Sequence, residues 1–458
     1  MAHESPSPWR SELLATLQLA GPLALANLLQ MLVYAIDVIF LARLGEDTLA
    51  ASSLSVSLFG LLTWMFSGLT GMVAALVSAE LGRRRHAVRE VRRSVRMALW
   101  LAGGLSLAGM SVCAFGREIL LLTGQQPAIA EAAGHFLRVI LLAMPLMLFS
   151  NVLRSFVSAL GRPIFATLIA VLAIGVSALA NYALVFGHFG LPALGLRGSA
   201  LSTVLTALFS LACYVAAIRR DRRLRRYALF GNWWRPEWQR LAELVRKGVP
   251  VALTILAEAG LFSGAAFLMG LIGPAQLAGH TIALQVAALA FQVPFGLGQA
   301  ATIRVGYFYG ARDIPAIGRA GWTALALGSG FMALTAGIML FAPRLVLGIY
   351  IDVAAPQNAE LVHFAMRFLM VAAGFQLFDG LQAVAAGNLR GLQDTRVPMA
   401  LALFGYWIPG LGTAIGLGFF TPLEGLGVWI GLAAGLVVVA LLLVQRWARR
   451  ARLGLVPG

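Results

Sequence analysis

Long apolar runs are the feature that most limits how this chain can fold. The clearest four cover residues 95–113, 164–185, 320–341 and 428–444, with very few charges inside them. Each matches the length that a helix needs to cross a hydrocarbon core of about 30 Å. Because lipid offers no hydrogen-bond partner to a backbone N–H or C=O group, such runs must be helical. The sequence therefore predicts an all-α membrane protein.

Twelve membrane spans can be counted along the 458 residues. Composition agrees, because only 12% of the residues are charged and 60% are hydrophobic, whereas soluble proteins carry about 25% charged residues. The predicted spans are residues 14–43, 53–80, 95–115, 135–158, 163–187, 198–218, 244–271, 281–308, 319–342, 361–388, 397–419 and 425–446.

The net charge of +16 comes from basic residues that lie on alternate loops. Arg and Lys cluster in residues 83–96, 219–247 and 446–452, whereas residues 45–51 and 273–279 contain none. By the positive-inside rule, the basic loops and both termini are cytoplasmic, as in a bacterial-type inner (plasma) membrane. We therefore expect the basic residues to interact with the lipid bilayer, and we expect no nucleic-acid partner.

The chain contains an internal repeat. A shift of 228 residues (250 − 22) places Pro22 on Pro250, Gly45 on Gly273 and Gly68 on Gly296. Each half holds six spans, and an even number makes the repeats parallel, related by a pseudo-two-fold axis along the membrane normal. We predict an N-lobe at residues 1–218, a basic cytoplasmic linker at 219–243 and a C-lobe at 244–458. Two similar lobes favour transport by alternating access.

Three acids stand out within the predicted spans, away from the span ends: Asp37 in span 1, Glu258 in span 7 and Asp379 in span 10. An acid at the centre of a membrane helix costs about 2.5–3.5 kcal/mol on insertion scales, so such residues usually line ion or substrate paths. A structural hydrogen bond within the helix bundle is the alternative for each acid taken singly. Three acids among so few charges favour a functional role for at least one of them.

The chemistry of these acids follows from desolvation. A medium of low dielectric constant disfavours the charged form of a carboxylic acid, whereas a bound cation stabilises it. A proton and an organic cation therefore compete for one carboxylate, and that competition is sufficient for antiport. Sodium, which takes oxygen ligands, is the other possible coupling ion, bound at Glu258 and Asp379. The two cysteines, Cys113 and Cys213, lie in apolar runs, and we expect no cofactor beyond the coupling ion.

Uncharged polar and aromatic residues near the acids are candidates for lining a cavity. Gln30 and Tyr34 share a helix face with Asp37, and Phe262 follows Glu258 by one turn. Packing between helices is the alternative role for each. The complete candidate set is Gln30, Tyr34, Asn181, Phe262, Gln285, Gln292, Gln376 and Gln382.

Pro22 and Pro250 occupy matching positions in the first helix of each half. A proline inside a helix removes one hydrogen bond and tends to kink it. The pair therefore predicts either two hinges or two fixed bends.

Several motifs, in the correct order, resemble the MATE (multidrug and toxic compound extrusion) family over nearly the whole chain. The matching segments are Pro22 and Asp37 with Arg43-Leu44-Gly45, Asn181-Tyr182-Ala183-Leu184-Val185-Phe186-Gly187, Glu258 with Gly279-His280-Thr281-Ile282-Ala283, Ala301-Thr302-Ile303-Arg304-Val305-Gly306, Asp379 with Gln382, and Leu389-Arg390-Gly391-Leu392-Gln393-Asp394-Thr395. The segment Gly279-His280-Thr281 departs from the usual Ala-His-Gln of the family.

The resemblance implies a secondary antiporter, not an enzyme, that exports cationic or amphipathic drugs. It implies coupling to H⁺ or Na⁺ through Asp37, Glu258 and Asp379, and the presence of both C-half acids is typical of the NorM-like branch. We expect small organic cations as substrates and a monomeric protein.

Three alternatives differ from this reading. A lipid or lipid-linked saccharide flippase of the same superfamily would need basic residues for phosphate, and Arg304 and Arg367 are the few candidates. A major-facilitator transporter would carry an acid in the loop after span 2, which Gly82-Arg83-Arg84-Arg85-His86 lacks. A channel or membrane enzyme would show a filter repeat or a catalytic motif, and we find neither.

Overall fold

The computed structural model describes residues 7–84, 87–231 and 234–457, and within these residues all regular structure is helical. A 3-10 turn, Pro356–Asn358, precedes α15, and a π-helical segment, Tyr406–Leu411, joins α16 to α17. The helices are α1 (Pro8–Ala42), α2 (Glu46–Gly71), α3 (Val73–Arg83), α4 (Val88–Ala114), α5 (Gly116–Leu122), α6 (Pro127–Ile140), α7 (Ala143–Ala159), α8 (Ile164–Phe186), α9 (Leu196–Arg220), α10 (Arg222–Arg225), α11 (Trp238–Ile272), α12 (Pro274–Ala311), α13 (Ile314–Phe341), α14 (Pro343–Leu347), α15 (Ala359–Gly391), α16 (Arg396–Gly405), α17 (Gly412–Phe419) and α18 (Gly425–Ala448).

The predicted all-α membrane fold is confirmed. Among the described residues, 11 helices or helix pairs are long and apolar enough to cross a membrane. Counting α6 and α7 as one broken span gives twelve; the two helices bend by 47° at a short break and cover the predicted span 135–158. The basic loops are described only in part, because Arg85, His86, Asn232 and Trp233 lie outside the described residues.

Contacts between helices divide the chain into two compact units. The N-terminal unit is Leu25–Ala252, and the C-terminal unit combines the chain up to Ala24 with the chain from Leu253 onward. Both divisions fall inside continuous helices, α1 and α11, two residues after Pro22 and Pro250. The predicted lobe boundaries at residues 218 and 244 remain a proposal.

In the N-terminal unit, glycine allows α8 and α9 to pack closely. Gly187 ends α8 with φ of 76°, and a Cβ there would lie 2.6 Å from Ala193 N. A Cβ on Gly198 would overlap the carbonyl oxygen of Leu184. Only glycine fits both positions, because the first requires a left-handed backbone and the second requires backbone contact. The motif that starts at Asn181 is therefore what brings α8 and α9 together.

In the C-terminal unit, α12 and α15 meet at two glycines. A Cβ on Gly298 would lie 2.8 Å from Ala383 O, and a Cβ on Gly387 would overlap Gly298 O. The Thr302 hydroxyl lies 2.9 Å from the carbonyl oxygens of both Gly298 and Gly387, to which it donates. Small residues and a shared hydroxyl are the usual means of close packing between membrane helices. This contact fixes the part of α15 that carries the acid predicted in span 10.

Span 11 is interrupted by the π-helical segment, which contains Pro409. Tyr406 begins the segment and is fully buried. A π-helical turn inserts one extra residue into a turn and so changes the direction of the side chains beside it, often at functional sites.

Replacing Gly387 by Leu tests the contact between α12 and α15. The added side chain would collide with Gly298, and overpacking of this kind costs about 1–3 kcal/mol. We expect a clearly lower midpoint in thermal unfolding of the detergent-purified protein. The control is Gly374→Ala in the same helix, where an added Cβ meets nothing within 4 Å. Equal midpoints for both variants would contradict this account.

Candidate functional site

Asp37 lies in a pocket of hydrogen-bond donors within the N-terminal unit. Asn181 Nδ2 donates to Asp37 Oδ1 at 2.6 Å, and the Ser177 hydroxyl donates to the same oxygen at 3.3 Å. The Thr203 hydroxyl donates to Asp37 Oδ2 at 3.3 Å. Three elements meet here, because Asp37 is on α1, Asn181 and Ser177 are on α8, and Thr203 is on α9. The close packing of α8 on α9 sets this geometry.

Glu258 and Asp379 share a single side-chain amide within the C-terminal unit. Gln382 Nε2 donates to Glu258 Oε1 at 3.3 Å and to Asp379 Oδ1 at 3.2 Å. Asp379 and Gln382 are both almost completely buried. Since one nitrogen reaches both acids, the two carboxyl groups are close neighbours. The structure thus brings together residues that lie more than a hundred positions apart in the sequence.

Tyr406 and Arg390 lie beside the two acids and the amide that they share. The Tyr406 hydroxyl donates to Gln382 Oε1 at 2.8 Å, so the amide oxygen has a partner and the amide N–H groups point to the acids. Arg390, on the same helix as Asp379, interacts electrostatically with Glu258. Its Nε donates to Ala386 O, one turn earlier in the same helix, at 3.3 Å. The group therefore contains two acids, one amide, one phenol and one guanidinium.

The other candidate residues have varied surroundings. Tyr34, one turn before Asp37, is 41% exposed and interacts electrostatically with that acid, and Gln30 is half-buried. Gln376 is buried against α13, where its Nε2 donates to Thr335 Oγ1 at 3.1 Å. Gln292 donates to Ala288 O of its own helix at 3.2 Å.

Two further candidates lie at accessible or partly accessible positions. Gln285 is exposed, and Phe262, one turn after Glu258, is half-buried. Asn181 is thus the candidate whose contact with an acid is most direct in the N-terminal unit, and Gln382 is its counterpart in the C-terminal unit. Whether the remaining residues line a substrate path stays a prediction.

Sequence reasoning missed Ser177, Thr203 and Tyr406. Ser177 had a signal, since it lies one turn before Asn181 and therefore on the same face of α8. No sequence signal pointed to Thr203 or Tyr406, because their contacts depend on how separate helices pack. The π-helical segment that carries Tyr406 is likewise not visible as a hydrophobic pattern.

Arg304, a candidate for binding phosphate, has an acidic partner. Its Nη2 lies 2.5 Å from Glu12 Oε2, and its Nε lies 2.9 Å from Glu12 Oε1. This two-pronged ion pair compensates the charge of Arg304. The residue is therefore a poor candidate for recognising a phosphate group.

Comparison with known proteins agrees with the motifs. The MatE family profile matches residues 22–183 and 250–414. The chain is 46% identical over 445 residues to a probable multidrug resistance protein NorM of Mesorhizobium japonicum, covering 97% of this chain and 95% of that protein. It is also 46% identical over 441 residues to the protein of the same name from Brucella suis, covering 96% and 94%.

Solved structures show the same fold. The eukaryotic MATE transporter AtDTX14 superposes with a TM-score of 0.82 at 22% identity, over 98% of this chain and 99% of that one. An outward-facing multidrug resistance MATE transporter of the MOP superfamily superposes with a TM-score of 0.86 at 20% identity, over 98% and 97%. The chain therefore belongs to the MatE family of multi-pass membrane transporters and is not an enzyme.

Proposed function

We propose that this protein is a secondary active antiporter that exports cationic or amphipathic drugs in exchange for H⁺ or Na⁺ by alternating access. Export of drugs is supported by the relatives, which are named multidrug resistance proteins. We further propose that both termini are cytoplasmic, because the basic loops alternate as the positive-inside rule requires. We also propose that the protein is a monomer in a bacterial inner membrane.

The observation that carries the proposal is the pair of acids that share one amide. Glu258 and Asp379 repel each other when both are ionised, and the surrounding low dielectric strengthens this repulsion. A cation placed between them relieves it. A proton, a sodium ion or a cationic substrate could each do so, and the pair responds as one coupled group.

Exchange follows if these cations exclude one another. A proton or sodium ion bound at Glu258 and Asp379 removes the charge that would attract an organic cation. Conversely, an organic cation stabilises the ionised acids and expels the smaller ion. A potential of about 100 mV is worth about 2.3 kcal/mol per charge, which sustains a concentration ratio of a few tens-fold.

Asp37 would serve as a separate cation site in the N-terminal unit. Its three neutral donors, Asn181, Ser177 and Thr203, stabilise an ionised carboxylate without cancelling its charge. An ionised Asp37 attracts a cation. The flippase alternative gains no support here, because the charge of Arg304 is compensated by Glu12.

The double variant Glu258→Gln with Asp379→Asn removes both charges of the pair. We expect gradient-driven efflux of a cationic dye from whole cells, and its uptake into inverted vesicles, to fall at least about tenfold, since a neutral site has no charge to exchange. Imposing H⁺ and Na⁺ gradients separately identifies the coupling ion. The control is Glu360→Gln with Asp352→Asn, at exposed positions of the same unit. Unchanged coupled efflux in the first variant would contradict the proposed role.

Asp37→Asn tests the site in the N-terminal unit. The amide keeps the size of the side chain but loses the charge, and it replaces one acceptor oxygen with a donor NH2 group. We expect dye efflux to fall by about tenfold or more, with normal amounts of folded protein in the membrane. Asp37→Glu, which keeps the charge, is the matched variant. Full activity of Asp37→Asn would remove Asp37 from the mechanism.

Tyr406→Phe tests the orientation of Gln382. Loss of the hydroxyl leaves Gln382 Oε1 without its donor at a buried position, at a cost of about 1–3 kcal/mol. We expect an apparent affinity for the coupling ion that is weaker by about fivefold or more, from efflux rates measured against ion concentration. Tyr307→Phe, at a position that is 39% exposed, is the control. An unchanged ion dependence would show that the amide does not need this contact.

A further inference from the structure

A cavity lined by charged side chains lies between α5 and α6 in the N-terminal unit. Its volume is about 180 Å³, and it is open to the surface. It is separate from the Asp37 pocket, which α1, α8 and α9 form. The lining residues are Arg117, Glu131, Gly134, His135 and Arg138.

The lining of the cavity follows one face of α6. Glu131, Gly134, His135 and Arg138 are spaced i, i+3, i+4 and i+7, which places them on the same side of a helix. Glu131 and Arg138 are two turns apart, or about 10 Å along the helix axis. Arg117 approaches from α5 between these two levels, because a Cβ on Gly134 would lie 2.8 Å from Arg117 Cβ. The cavity thus has an acid at one end and a base at the other, with a second base beside its middle.

A packed support lies behind this charged face. Ala130 and Ala133, on the opposite side of α6, are fully buried and form a hydrophobic cluster with Leu120 of α5 and Ala51 of α2. Leu137 is also fully buried. The backbone positions of the lining residues are therefore fixed by packing, as a binding site requires.

The charged groups of the cavity are available to a ligand. The side chains of Glu131 and Arg138 make no hydrogen bond or ion pair with the residues that the structure describes. Arg117 Nη1 lies 3.6 Å from Oε1 of its neighbour Glu118, but these side chains are 45% and 49% exposed, and such a pair contributes little. A guanidinium has five N–H donors, so most of those of Arg117 remain free for another acceptor.

The cavity lies where α6 enters the membrane. The helix begins at Pro127, and α6 with α7 covers the predicted span 135–158, so Arg138 is at the level of the bilayer and Glu131 is nearer to water. The proposed topology assigns this end to the non-cytoplasmic side, where residues 45–51 and 273–279 contain no Arg or Lys. An exposed Arg at this depth is costly unless its guanidinium reaches a polar group at the interface. The phosphate of a lipid headgroup is such a group.

We propose that this cavity binds the headgroup of phosphatidylethanolamine in the outer leaflet. The phosphate accepts hydrogen bonds from Arg117 and Arg138, which suit it because a guanidinium can donate two parallel bonds to phosphate oxygens. The ammonium group donates to the Glu131 carboxylate. This order fits the lipid, because the ammonium group is the terminal part of the headgroup, beyond the phosphate, and Glu131 is the residue nearer to water. The inference goes beyond drug export and does not depend on it.

The preference among headgroups tests the proposal without any variant. Native mass spectrometry of the delipidated, detergent-purified protein measures the binding of phosphatidylethanolamine, phosphatidylglycerol and phosphatidylcholine with identical acyl chains. Phosphatidylglycerol lacks the ammonium group, and the quaternary ammonium of phosphatidylcholine has no N–H donor for Glu131. We expect phosphatidylethanolamine to bind about fivefold more tightly than either, as a partly exposed charge-assisted contact allows.

Charge-neutral variants assign the two halves of the headgroup to their residues. Arg117→Gln with Arg138→Gln should weaken binding of phosphatidylethanolamine by about tenfold or more, because the phosphate loses both guanidinium partners. Glu131→Gln should remove the preference over phosphatidylglycerol and leave binding of the latter intact. The control is Arg222→Gln with Arg225→Gln, which removes the same charge at exposed positions of α10 and should change nothing.

Three results would overturn the proposal. The first is a parent protein that binds the three lipids equally, and the second is unchanged binding in the double arginine variant with the unfolding midpoint of the parent. The third is displacement of the lipid by a large excess of inorganic phosphate, which would indicate a site for small anions. Failure of the parent to export dye would contradict the proposed function and would leave these binding measurements unaffected.

Discussion

Lipid cannot form hydrogen bonds, so the backbone groups and the acids inside the spans of this protein depend on partners within the protein. The acids show how this is achieved. Asp37 receives three neutral donors, and Glu258 and Asp379 share the amide of Gln382. The oxygen of that amide is in turn satisfied by the hydroxyl of Tyr406. The hydrogen-bond partners of the three acids are therefore uncharged side chains, and Arg390 is a cationic neighbour of Glu258.

Glycine makes these arrangements possible, because it lets helix backbones approach until short side chains can reach across. Gly198 brings α9 against α8, and so places Thr203 beside Asn181 and the Asp37 carboxylate. Gly298 and Gly387 bring α12 against α15, the helix that carries Asp379 and Gln382. In both units, the helix that makes the close glycine contact also carries side chains that contact an acid, namely Thr203 on α9 and Gln382 on α15. Changes at these glycines would therefore affect stability and coupling together.

The two repeats share their fold but not their chemistry. The shift of 228 residues places Asp37 on Ala265 (265 − 37) and Gln30 on Glu258 (258 − 30), so the acids of one half have no counterparts in the other. The beginnings of the first helices differ as well, since Glu12 and Arg240 align but carry opposite charges, and their partners Arg304 and Glu80 do not align. The two halves therefore combine a repeated architecture with an unequal distribution of charge.

The sequence by itself determined the helices, their number and the three acids, because hydrophobic runs and isolated charges are local properties that lipid enforces. It also indicated Asn181 and Gln382, through helix spacing and motif resemblance. Only the tertiary structure decided that one amide joins Glu258 to Asp379, that Tyr406 orients it from a π-helical segment, and that Glu12 meets Arg304. These contacts join residues far apart in the chain, and they depend on packing distances that no local pattern records.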